Sequence, residues 1–234
     1  MHCDPPAAPS MASLAAVLPA YGEFPFDRTL QTARDDIGDR PDLASPAHAR
    51  RLRVWLNQWL CRIGYPAADD DVFAESLAAW WRDWQGLLPP AGTGLADLSD
   101  ADLQDVSRSY AGLRRLPAAV SRTGRVRSVG PTAAAKLLYF VRPAAVTAWD
   151  RQISGRTGGG QDQSAFLRHL IVCQSWAAGL EAEGRAIGLK AEEIGPHLGR
   201  PKSSVAKLID EWLYATITVG LSPWGIRSAD RCEP

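Results

Sequence analysis

Arg125, Arg127, Lys136 and Arg151 lie in or beside the stretch VRSVGPTAAAKLLYFVRPAAVTAWD (residues 126–150), which ends on a single acid, Asp150. Between Arg114 and Arg156 stand nine Lys/Arg and one Asp, an excess of eight positive charges in a chain whose 26 basic and 26 acidic residues cancel. Such hidden asymmetry points to a polyanionic partner. Within the stretch, Val129-Gly130-Pro131 reads as a tight turn into a helix. Gly130 can take a backbone angle closed to other residues, and Pro131 suits the first helical position. A turn of this kind and the helical turn after it, Thr132 included, expose backbone N–H groups at the positive end of a helix, an arrangement that binds phosphate. Arg125, Arg127 and Lys136 add charge to it. Asp150 is placed to cap the short helix DRQIS that begins at Arg151.

These residues must be positioned by helices. SPAHARRLRVWLNQWLCRIG opens with a Ser45 cap and Pro46 at the first helical position and closes at Gly64. Leu52, Trp55, Leu56, Trp59, Leu60 and Ile63 form its apolar stripe. DDVFAESLAAWWRDWQGLL repeats the pattern with Val72, Phe73, Leu77, Trp80, Trp81 and Trp84. A third helix starts after Ser99, with Asp102 completing a capping box. A long helix begins near Ser164, and shorter ones are expected over about 191–198 and 202–217. Only VTAW and ATITVG alternate like strands. The expected fold is therefore all-α. The first twenty residues and residues 222–234 read as tails, with Met1 and Met11 both possible starts, and residues 21–221 as one helical body. No apolar run approaches the roughly 20 residues needed to cross a bilayer, and no basic region precedes the Ala-rich start. Four scattered cysteines and four scattered histidines fit neither a disulfide framework nor a metal centre. A reducing, cytoplasmic setting without metal or other cofactor is the expectation. Most of the nine tryptophans fall on core stripes, where packing is their ordinary role.

Val126, Val129, Gly130 and Ala134 stand where the helix-hairpin-helix of DNA glycosylases carries its apolar residue, valine, second glycine and alanine. Asp150 follows Thr132 by eighteen residues, the interval at which that family carries its catalytic aspartate. The segment thus resembles the helix-hairpin-helix, Gly/Pro…Asp superfamily of endonuclease III, adenine glycosylase and 8-oxoguanine glycosylase relatives. The resemblance implies a two-lobed helical bundle, with the motif at about 120–141 inside a region of about 114–156 and the C-terminal helices over 164–217. It implies a duplex DNA partner gripped by Arg125, Arg127, Val129, Gly130, Pro131, Thr132 and Arg151. It also implies a nucleotide flipped into a cleft, with Trp149 at its border. Asp150 would stabilise the cationic sugar or activate water as the N-glycosidic bond breaks. Two positions depart from the family. Ser128 replaces the first glycine, and Thr132 stands where bifunctional members keep a Schiff-base lysine. An imine route is then not expected, unless Lys136, one helical turn on, serves.

AEEIGPHLGRPKSSVAKLIDEW, within residues 191–214, also has the spacing of a helix-turn-helix. Arg200, Lys202, Ser203, Ser204 and Lys207 would then meet a major groove. Pro196 counts against that reading, and Val205, Leu208, Ile209, Trp212 and Leu213 suit packing on the body instead. A non-enzymatic DNA-binding regulator, or a helical protein whose arginine-rich face meets an acidic partner, are the alternatives to a glycosylase that works without lyase chemistry.

Overall fold

Polar caps start most of the helices. The computed structural model describes residues 6–21, 25–38, 40–64, 71–121, 123–157 and 159–221. Ser45 accepts a hydrogen bond from the His48 amide ahead of α3 (Pro46–Gln58). Asp71 does the same from Ala74 for α4 (Val72–Trp84), and Ser99 with Asp102 closes a capping box on α5 (Asp100–Leu113). Asp162 accepts from Ala165 at the head of the long α8 (Gln163–Ala186), and Ser204 accepts from Lys207 at the head of α10 (Val205–Leu213). Each cap satisfies one of the amides that a helix start leaves without a partner. The remaining helices are α1 (Met11–Tyr21), α2 (Pro25–Ile37), α6 (Pro131–Val141), α7 (Arg151–Thr157) and α9 (Ala191–His197). α10 runs on into a π-helical segment, Tyr214–Val219. The chain is mostly helical, and no helix among the described residues is long and apolar enough to cross a membrane.

α8 is the spine. It packs against α5, α7, α9 and α10, and one connected set of buried apolar side chains runs from Leu14 in α1 to Ala215 after α10. α1 corrects the expectation of a tail over the first twenty residues. Leu14, Val17 and Leu18 lie on one helical face and are at most 2% exposed. α3 also stops earlier than its apolar stripe implies. Leu60 and Arg62 take left-handed backbone angles (φ 59° and 54°), which end the helix before Gly64 and turn Leu60 outward, 73% exposed. The expected tail over 222–234 lies outside the described residues.

The strands are not where alternation placed them. VTAW is irregular and ATITVG is π-helical, whereas β1 (Pro117–Val120) and β2 (Val126–Ser128) form an antiparallel ribbon. The ribbon takes the place of helix expected from about residue 120. It is an excursion between α5 and α6, which pack on each other. The Val129 amide donates to the Leu116 carbonyl (2.8 Å) and the Gly130 amide to the Arg114 carbonyl (3.0 Å), so the chain leaves and re-enters the body at one place.

Candidate active site

Three distant parts of the chain enclose a cavity of about 330 Å³. The start of α6 contributes Thr132 and Lys136, the segment before and into α7 contributes Trp149, Asp150 and Arg151, and the end of α3 contributes Trp59 and Leu60. Asp210 and Tyr214, one turn apart where α10 becomes π-helical, close the far wall. Five of the residues singled out by type and spacing therefore meet in one place.

Asp150 is half-buried. Its Oδ1 accepts from the Gln152 and Ile153 amides, both at 2.9 Å, so one oxygen caps α7. Oδ2 makes no hydrogen bond among the described residues. Capping fixes the carboxylate, and the second oxygen stays available to the cavity. The backbone ahead of it is held from beneath by His169 of α8. His169 is fully buried between two threonines: Thr147 Oγ1 lies 2.7 Å from Nε2 and Thr157 Oγ1 lies 2.9 Å from Nδ1. Thr157 already gives its proton to the Ile153 carbonyl (3.0 Å), so it accepts from Nδ1–H, and Thr147 donates to Nε2. The ring is neutral in this arrangement, and burial pushes its pKa down to about 3. Trp149 stacks on the same imidazole (5.6 Å between centroids) and packs against Phe166 and Tyr110. At 1% exposure its ring is a core element that walls the cavity.

Lys136 reaches across to α3. Its Nζ donates to the Trp59 carbonyl (3.0 Å) and sits 4.8 Å from the Trp59 ring centroid. The Cys61 thiol lies beside it, its pKa raised by burial and only partly offset by the lysine charge.

The turn before α6 differs from its expected role. Gly130 does adopt a positive angle (φ 79°), and a Cβ there would meet nothing within 4 Å, so the open face is real. The amides of Val129 and Gly130, however, are taken by Leu116 and Arg114, Pro131 has none, and Val129 is 5% exposed. The amides left at this helix start are those of Thr132 and Ala133. Arg125 and Arg127 are exposed on the ribbon, outside the cavity lining, and Arg151 is exposed at its edge. Arg142 turns inward, donating to the Pro89 carbonyl and to the Val141 carbonyl (2.8 Å), and burial lowers its pKa. The basic stretch is thus divided among ribbon, cavity and core.

Leu60, Asp210 and Tyr214 escape a reading by motif. Asp210 is buried, ion-paired to Lys207 (3.0 Å), and its pKa is raised mainly by burial, with the Asp150 charge adding to it. Burial and Asp150 also raise that of Tyr214. Their spacing of four residues on one helical face is the signal that was available. The helix-turn-helix reading is corrected outright. Every residue of α10 from Val205 to Leu213 is buried, and Lys207 is paired to Asp27 and Asp210, so the helix has no face to lay in a groove.

No protein-family model, curated protein or solved structure matches the chain.

Proposed function

We propose that this protein binds duplex DNA and excises a damaged or modified base as an N-glycosylase without lyase activity. The observation that carries the reading is the meeting of the unengaged Asp150 Oδ2 with Thr132, Lys136 and aromatic walls in one cavity. Its volume of about 330 Å³ sits at the low end of the ~300–1,000 Å³ typical of small-molecule sites, suited to one extruded base. As the C1′–N bond lengthens, its electron pair passes to the base and positive charge grows on the sugar. Asp150 offsets that charge and takes the proton of the water that attacks C1′. Lys136, positioned by the Trp59 carbonyl and ring, balances the nucleotide's phosphate or the departing base. Thr132 has no amine, so no imine forms there.

Leu60 completes the assignment. An exposed leucine in a left-handed conformation at the rim costs roughly 1–2 kcal/mol of backbone strain, and such strain gathers at functional sites. Inserted between base steps, it fills the space an extruded nucleotide leaves. The exposed Arg125 and Arg127 would follow the backbone alongside. A two-lobed helix-hairpin-helix architecture is part of the same proposal, with α5 and α6 as the helices and the ribbon enlarging the hairpin.

Incubation with duplexes carrying a lesion panel, followed by chemical cleavage of abasic sites, tests it. Excision that falls more than about 100-fold in Asp150→Asn supports the assignment, a loss within the range of acid–base catalysis. Salt-sensitive binding with no excision on any lesion would replace it with a DNA-binding protein that lacks the chemistry.

A further inference from the structure

A second cavity, of about 560 Å³, lies away from Asp150, between α2, the turn after α6 and the loop that joins α9 to α10. Its lining is rich in cations. Two of them are satisfied within the protein. Lys207 Nζ is 3.0 Å from both Asp27 and Asp210, and Arg200 bonds Glu211 (3.0 Å) and the Leu18 carbonyl (2.7 Å). Arg34 and Lys202 make no ion pair among the described residues. Arg34 stands with its guanidinium carbon 5.5 Å from the Tyr139 ring centroid and 5.9 Å from that of Phe140, and its Nη2 is buried without a hydrogen-bond partner among the described residues. A half-buried guanidinium that lines a cavity without a counter-ion is costly, and an anion meeting its accessible edge from the cavity lowers that cost. α10 begins at the same wall through Ser203 and Ser204, so the positive end of a nine-residue helix reinforces the field. Leu30, Pro143 and Ala144 add an apolar side.

We infer that this cavity binds a phosphate group, with Arg34 as its inner ligand and Lys202 as its outer one. The bidentate fork of arginine suits a phosphate's paired oxygens, and lysine adds a point charge at the mouth. The room beyond a single phosphate and the apolar side admit an organic phosphate. The phosphate can come from a free small molecule or from a nucleic-acid backbone.

Titration calorimetry on the full chain with sodium pyrophosphate, adenosine diphosphate and adenosine decides it. Both phosphates are expected to bind and adenosine is not. Arg34→Met should weaken pyrophosphate binding at least about tenfold, the loss of one charge-assisted hydrogen bond. Lys202→Ala, at an exposed position, should weaken it a few-fold with the fold intact, so the inference stays testable if Arg34→Met fails to fold. Asp150→Asn should bind pyrophosphate as the parent does, which separates this site from the proposed chemistry. Absence of binding in the parent protein, or unchanged binding in Lys202→Ala and folded Arg34→Met, overturns the inference. An undamaged duplex oligonucleotide that displaces pyrophosphate assigns the phosphate to the backbone. Failure to displace it assigns a free ligand, and either outcome supports the site.

Discussion

Lowering the pH from 7 to 5 should destabilise the fold through His169, and the size of the effect follows from its surroundings. The imidazole is held neutral between Thr147 and Thr157, with a folded pKa of about 3 against an ordinary 6.5. The fold disfavours the charged form, so the unfolded chain binds the extra proton. Stability is therefore full above pH 6.5, falls as the pH drops below that value, and stops falling below about 3. Integrating between the two states gives a loss of roughly 2 kcal/mol at pH 5 and roughly 3 kcal/mol at pH 4. Asp102 accepts from Ser99, and Asp162 accepts from the Ala165 amide and the Ser164 hydroxyl. Those bonds lower both pKa values, so the two acids also lose their contribution in acid, but only as the pH falls below the ordinary carboxylate value. Asp210 and Glu211, whose pKa values burial raises, act in the opposite sense. They are common to the parent and to a His169 variant, so the difference between those two proteins isolates the histidine. Urea unfolding midpoints from pH 7 to 5, measured for the parent and for His169→Gln, provide the assay. The parent midpoint should fall against the variant's in step with that loss. The variant should start less stable, because two buried hydrogen bonds are disturbed, yet show no such fall with pH. Parallel pH profiles for the two proteins would refute a neutral, buried His169. The same experiment bears on the cavity, since the imidazole supports the backbone from Thr147 to Trp149 that delivers Asp150.

Leu60→Gly should leave the melting temperature unchanged or raise it slightly, because relief of up to about 1–2 kcal/mol of left-handed strain offsets the added freedom of the unfolded chain. The same variant should lower excision at least about tenfold if the leucine fills an emptied base step, and equal excision by gel assay would remove that role. Arg125→Ala with Arg127→Ala should leave urea stability unaltered, as both side chains are exposed. The slope of log affinity against log salt should become shallower by about two, one for each phosphate that an arginine no longer neutralises, and an unaltered slope would take the ribbon off the DNA.

The helix starts were legible because capping is local. Ser45, Ser99 and Ser204 sit within three residues of the amides they bind, a distance that sequence displays directly. Lys136, Trp149, Asp150 and Arg151 could be gathered from one stretch because α6 and the segment after it run along one side of the cavity. Leu60 could not, because helical periodicity assigns it to the core, whereas its outward turn depends on backbone angles that nothing in its neighbours' types announces. The ribbon was hidden for a related reason. β2 is three exposed residues, held by pairing with β1 and by the packing of β1 on α4. Such pairing is non-local, and so short an element lacks a pattern of its own. α1 was missed although Leu14, Val17 and Leu18 carry helical spacing, since its alanines and Pro19 resemble a linker.

Because the Val129 and Gly130 amides tie the returning chain to the carbonyls where it departed, α5 and α6 are clamped together without help from the tip of the excursion. Among its described residues the base is committed: Ala118 is buried, and Ala119 touches Gly64 so closely that a methyl group on that glycine would collide at 2.7 Å. The exposed residues 123–127 beyond that base can be lengthened, shortened or recharged. The protein thus owns an interchangeable fingertip, whose length and charge can be retuned while the α5–α6 scaffold beneath it stays as it is.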